Sequence, residues 1–181
     1  ASLRDCNLIV DATADARVFN LLGGVFAEGG PPLVWLEVYA GGIGGLVGRA
    51  RPELDPTPQT ARARIDAWCA DKEVITPRPA ARYVVDTEDG PVIADDADVA
   101  VIAAHATRFA IDILTEPSSS AFPVSAYFIG LKAGWIFQQP FHSFPVDLGS
   151  PEPRVTPAFD PEALAIIAAL LEESRDRPAA A

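Results

Sequence analysis

The residues best placed to do chemistry in this chain form a short polar run, Asp11-Ala12-Thr13-Ala14-Asp15, between two apolar segments. In an open α/β sheet, ligands bind outside the carboxyl ends of the strands, so Asp11, Ala12, Thr13 and Asp15 are candidate nucleotide-binding residues. Asp and Thr also end strands simply to cap the next helix, and both readings stand on these residues alone. Cys69 is the second candidate. A catalytic cysteine attacks as the thiolate and needs exposure and nearby cations, and Arg62, Arg64 and Lys72 are close in sequence. Against this, Cys69 follows Trp68 on a helical face, and free cysteine is among the most buried residue types, so a packing role competes with the nucleophile.

Other chemistries are excluded or demoted. Two cysteines and two histidines without a C-x-x-C do not make a zinc site, so no metal ligands are assigned. His142, Ser143 and Asp147 are not read as a hydrolytic set, because neighbours on an extended segment point to opposite faces. His105, in an alanine-rich helix, reads as a hydrogen-bonded core residue rather than a base.

These groups must be held by a βαβ start. Leu8–Val10 is continuous and β-branched, as in a central parallel strand covered on both faces. From Asp15, a plausible N-cap, Val18, Leu21, Leu22, Val25 and Phe26 follow the spacing of an amphipathic helix, which Gly29-Gly30-Pro31-Pro32 ends. Leu33–Val38 resumes the sheet, and the glycine-rich Gly41–Val47 leads on. After the irregular stretch Pro52–Pro58, residues 59–72 form a short helix with Ile65, Trp68 and Cys69 on one face, then a loop over 74–81. Arg82–Val85 is a short strand and Glu88-Asp89-Gly90-Pro91 a turn. Asp95 or Asp96 caps a helix to about Leu114 whose stripe is Val99, Ile102, Ala106, Phe109 and Ile113. Phe122–Leu131 and Trp135–Gln139, joined at Lys132-Ala133-Gly134, predict an antiparallel hairpin. A linker over 151–157 and a helix begun by Asp160-Pro161-Glu162 complete the reading.

Composition sets the outer limits. The chain's 181 residues, 49% of them hydrophobic, with a mean hydropathy of +0.18, suit one packed core. A net charge of −11 argues against nucleic-acid and anionic-membrane partners, which need clustered Lys and Arg. No apolar run reaches the roughly 18 residues that span a bilayer, and no secretory signal is visible. Two cysteines fit a cytoplasmic setting.

Ile9-Val10-Asp11-Ala12-Thr13, a helix, and Pro32-Leu33-Val34-Trp35-Leu36-Glu37-Val38 backed by Gly41-Gly42-Ile43-Gly44-Gly45-Leu46-Val47 resemble the second half of a ThiF/MoeB-type adenylating domain. Ala94–Ala106 and Ser125–Phe137 resemble the same family further on, so the resemblance covers roughly residues 4–148. It is similar more narrowly to bacterial ThiF-family proteins that activate ubiquitin-like modifiers. The resemblance implies an α/β, Rossmann-like ThiF-type fold: a mixed sheet with a parallel βαβ start, a carboxyl-terminal antiparallel hairpin and helices on both faces. It divides the chain into 1–148, with a crossover segment at about 52–81, and 149–181, a linker plus terminal helix. It further implies ATP and magnesium as cofactors, a ubiquitin-like or sulfur-carrier protein as partner, adenylation of that partner's carboxyl terminus, and a homodimer. In some members the activated modifier passes to a crossover cysteine as a thioester, and Cys69 is the only cysteine in that position.

Two departures qualify the carry-over. The family's aspartate two residues past the alanine helps to hold magnesium, and here that position is Ala14 with Asp15 behind it. Either Asp15 substitutes through a shifted backbone, or the chain is a non-catalytic binding or dimerisation relative. The family's glycine-rich turn, with its arginine and lysine, lies upstream of the strand that starts this chain, which implies a carboxyl-terminal portion not expected to adenylate alone. A nicotinamide-dependent oxidoreductase fragment is the remaining alternative.

Overall fold

One mixed sheet sets the architecture in the computed structural model, which describes residues 2–76, 84–87, 90–93 and 95–151. Ten elements follow in order: β1 (Ile9–Asp11), α1 (Ala16–Ala27), β2 (Leu33–Val38), β3 (Gly44–Ala50), α2 (Pro58–Asp71), β4 (Val84–Thr87), β5 (Gly90–Ile93), α3 (Asp96–Thr115), β6 (Ala126–Gly130) and β7 (Ser143–Val146). Five strands form one mixed sheet in the order β1-β2-β3-β6-β7, parallel between β1 and β2 and antiparallel elsewhere. The strands β4 and β5 pair separately as an antiparallel ribbon. No helix among the described residues is long and apolar enough to cross a membrane.

Period-two alternation sends the two sets of apolar side chains to opposite faces, and helices cover both. On one face Leu33, Trp35, Tyr39, Leu46 and Phe128 pack against Phe19, Leu22 and Phe26 of α1 and Ala61, Ile65 and Cys69 of α2. On the other, Val34, Leu36, Val47, Ile129 and Leu131 pack against Ile102, Ala106, Phe109 and Ile113 of α3. Each helix starts on a side-chain cap: Asp15 accepts from the Arg17 amide, Thr57 from Thr60 and Asp95 from Asp98. Between β2 and β3 the chain turns through Ala40–Gly42, where Gly41 and Gly42 adopt φ of 77° and 60°.

Two expectations are corrected. The first strand is not central: β1 is the edge of the described sheet, paired only with β2, and Val10 is 51% exposed. A β-branched run reports what covers the strand's faces and carries no information about a neighbour along its edge. The hairpin partner of β6 is Ser143–Val146, not Trp135–Gln139. Left-handed φ at Gly134 (136°), Trp135 (51°) and Phe141 (62°) breaks that segment, which contributes only a Gly134–Phe137 bridge. Its rings fold back over the sheet instead, Trp135 edge-on to Tyr39 and Phe128 at centroid distances of 5.7 and 5.1 Å. Aromatic enrichment suits a covering loop as well as a strand. The readings of residues 77–83, 88–89 and 152–181, including the terminal helix, lie outside the described residues.

A buried polar network ties β3 to the far side of α3. Arg49, 1% exposed, donates to Asp112 at 2.8 Å and to Ser120 at 2.6 Å. Arg51 donates to Asp55 through Nε at 2.8 Å, and Asp55 also accepts from Ser125. Such charges are tolerated only where each is paired, so the network fixes the register of the loops around residues 51–55 and 119–125.

Candidate functional site

The turn from β1 into α1 is held by a relay of short side chains. Asp11, 5% exposed, accepts through Oδ1 from the Thr13 amide (2.9 Å) and hydroxyl (2.7 Å). Thr13 Oγ1 accepts from the Asp15 amide at 3.3 Å, and Asp15 accepts from the Arg17 amide at 2.8 Å. Closing this turn forces Ala14 into the left-handed region, with φ of 52°. That conformation costs an L-residue about 1–2 kcal/mol, and the relay holds it. Asp15 also takes Arg17 Nη2 on Oδ2 at 2.7 Å. The Arg17 side chain and then its backbone amide hold the Asp15 pKa down at about 2.

β1 stops at Asp11, opposite Trp35, while β2 continues to Val38. The missing length of strand leaves a cleft of about 390 Å³. The turn contributes Asp11, Ala14 and Asp15, helix α1 contributes Phe19 and Asn20, β2 contributes Trp35 and Glu37, and α2 contributes Arg62. This volume falls within the range typical of small-molecule sites, roughly 300–1,000 Å³. The Trp35 indole lies over its register partner Gly48, where any Cβ would overlap the ring, and meets Phe19 edge-on at 5.4 Å.

Hydrogen-bonding capacity is left unspent at two groups. Trp35 Nε1, behind the cleft wall in a residue 1% exposed, is buried without a partner. A buried donor left unpaired costs about 1–3 kcal/mol. On the cleft itself, Asp11 Oδ2 receives no donor among the described residues. Among the described residues the one cation on the wall is already engaged: Arg62 pairs with both carboxylate oxygens of Glu37 and lies over the Phe19 ring at 5.1 Å. Burial works against the Arg62 charge, but the hydrogen bond and charge of Glu37 outweigh it and raise the Arg62 pKa.

The structure therefore brings Asp11 and Asp15 together on the cleft. Ala12 and Thr13 are exposed outside its lining, with Thr13 acting as the strut of the turn. Cys69 stands apart, 2% exposed in the core under α2. Burial pushes its thiol pKa up, against a lowering hydrogen bond from Thr76, which is the reverse of what an attacking thiolate needs. The cations near it in sequence are spent elsewhere. Arg62 holds Glu37, Arg64 donates to the carbonyls of Leu148 and Ser150, and Lys72 lies 3.5 Å from Asp71. His105 is exposed rather than a core residue, because it falls on the outer flank of α3. His142 stacks on Phe144 at 4.4 Å, and no hydrogen bond joins it to Ser143 or Asp147.

Sequence reasoning did not place Trp35 or Glu37 at a site, and it read Arg62 as a cation near Cys69 rather than as part of this cleft. Glu37 was detectable as the one charge inside the apolar run Leu33–Val38. The Trp35 contribution depends on the β1–β2 register, which the sequence does not print.

The donor set fits one part of the expected cofactor pair better than the other. The cleft offers part of what a nucleoside needs: acceptors for hydroxyls and an amine, and an aromatic wall. It does not suit magnesium triphosphate. No three of His, Cys, Asp and Glu gather as a metal site among the described residues, and both oxygens of Asp15 are held by Arg17.

Fold and cleft define an α/β protein with a mixed sheet and a ligand-sized cleft at the carboxyl end of its first strand. No family model, curated protein or solved structure matches the chain.

Proposed function

We propose that this chain is the nucleoside-binding, carboxyl-terminal part of a ThiF-type adenylating domain. The observation that carries the reading is the cleft at the end of β1, where Asp11 keeps one carboxylate oxygen without a donor among the described residues, beside the Phe19 ring. Asp11 Oδ2 accepts from ribose hydroxyls, and Phe19 supplies a flat apolar wall. The parent activity is ATP-dependent adenylation of the carboxyl terminus of a ubiquitin-like or sulfur-carrier protein, in a cytoplasmic homodimer. ATP–pyrophosphate exchange, with candidate ubiquitin-like proteins and a Cys69→Ser variant alongside, tests the assignment. Exchange that depends on one carrier supports it, and persistence of that exchange in the variant separates adenylation from any thioester step.

A second reading, a non-catalytic binding or dimerisation module, is favoured by one specific observation. Among the described residues the cleft's sole arginine is neutralised by Glu37, so their wall offers incoming phosphates three carboxylates and no free cation. Nucleoside binding without exchange for any carrier selects this reading.

A further inference from the structure

On the opposite face of the sheet lies a second cavity, of about 330 Å³, between α3 and strands β3, β6 and β7. Its floor is apolar and buried: Val47, Phe109 and Ile129 are 2%, 2% and 4% exposed. Three rings form a cup above that floor. Phe109 meets Phe122 edge-on at 4.9 Å and Tyr127 at 5.9 Å, and Phe122 meets Tyr127 at 6.5 Å. Rings set edge to face leave flat walls that suit another flat apolar body.

The mouth is polar and one-sided in charge. His105 and Arg108 stand on α3, and Ser143 faces them from β7. Although the chain carries 25 acidic residues and a net charge of −11, no carboxylate among the described residues lines this cavity. Arg108 has no ion pair among the described residues, and its guanidinium lies 5.9 Å from the Phe122 ring centroid, at the edge of the cup. Burial, and then the Arg108 charge, lower the His105 pKa, leaving a neutral imidazole that both donates and accepts. The neighbouring Arg49 reaches Phe109 from the network side at 4.7 Å, but is committed to Asp112.

We infer that this cavity binds a small aromatic carboxylate, its ring in the Phe109–Phe122–Tyr127 cup and its carboxylate at Arg108, with His105 and Ser143 as hydrogen-bond partners. An apolar pocket with a few convergent polar groups at the mouth is the usual form of a small-molecule site, and a guanidinium matches a carboxylate in geometry as well as charge. The site is independent of the Asp11 cleft, because the sheet separates them.

The test titrates the full chain with 3-phenylpropionate and with its neutral isostere 3-phenylpropionamide, by calorimetry and amide chemical shifts. Saturable binding of the acid, about tenfold or more tighter than the amide, is expected, since charge-assisted hydrogen bonds are about twice as strong as neutral ones. Arg108→Gln, at an exposed position, should erase the preference while the fold is retained. Asp11→Asn should leave binding unchanged. Ser143→Trp, also at an exposed position, should block the mouth. No saturable binding to the folded chain, equal affinity for acid and amide, or a preference that survives Arg108→Gln would overturn the inference.

Discussion

Asp11 and Trp35 are register partners across the parallel pair β1–β2, and both are buried, at 5% and 1% exposure. Partners in a parallel pair leave the sheet on the same face, so the carboxylate that ends β1 and the indole of β2 share one face by backbone pairing alone. The cleft exists because β1 ends there and β2 does not.

The Asp15–Arg17 pair fixes how the turn responds to acid. Arg17 holds the Asp15 carboxyl at about 2, and Asp112 is also depressed: burial raises it, but hydrogen bonds from Ser120 and Ala121 and the Arg49 charge prevail. Both groups are depressed relative to the unfolded chain. Their contribution is therefore fully present above the ordinary carboxylate pKa of about 4 and is lost as pH falls through each group's lowered value, about 2 for Asp15. A carboxyl carbon NMR titration should place the Asp15 midpoint near 2 and move it upward in Arg17→Gln, which removes the guanidinium but keeps the backbone amide. An unchanged midpoint in the variant would remove Arg17 as the cause.

Ala14 stores backbone strain that glycine lacks. With φ of 52°, Ala14→Gly trades a left-handed penalty against a more flexible unfolded chain, and the net expectation is a gain of about 0.5–1 kcal/mol by urea unfolding. A loss of stability would mean that the Ala14 methyl, on the cleft wall, contributes packing that outweighs the strain.

The burial of Arg49 makes the network beneath α3 asymmetric to mutation. Arg49→Met leaves Asp112 buried without its cation and should cost about 3–5 kcal/mol. Restoring an apolar partner in Arg49→Met/Asp112→Leu should recover part of that. Equal stability of the single variant and the parent would show that the pair contributes nothing net.

The two thiols should separate cleanly. Cys6 is exposed and Cys69 is buried with a raised pKa. Native protein treated with a thiol-specific chromogenic reagent should react rapidly at one site, and Cys6→Ser should react only on unfolding. Rapid labelling of Cys69 in that variant would reopen its role as a nucleophile.

Much of the fold was legible because local signals agreed. Asp15 and Asp95 cap the helices they precede, and the stripe of α3 faces the sheet as its spacing dictates. The stripe of α1 is corrected at one position: Leu21 is 67% exposed, and Phe19 takes its place in the core beside Leu22 and Phe26. What was not legible depends on pairing across the chain. Nothing in Leu8–Val10 says that β1 lies at an edge, and Trp135–Gln139 carries strand-like residues while its backbone turns left-handed. Arg49 and Asp112 stand 63 residues apart, so their ion pair has no local signature. For the site, Asp11 and Asp15 were visible as carboxylates at a strand end. For Cys69 the competing packing reading matches its burial, and the cations counted near it along the chain engage other groups in space.

The most direct test of the account is a calorimetric titration of the chain with AMP, beside Asp11→Asn. The account predicts saturable binding, weakened about tenfold or more by Asp11→Asn, since a hydrogen bond to a charged group contributes about 1.5–3 kcal/mol. No binding by the folded parent, or equal affinity in parent and Asp11→Asn, would contradict it.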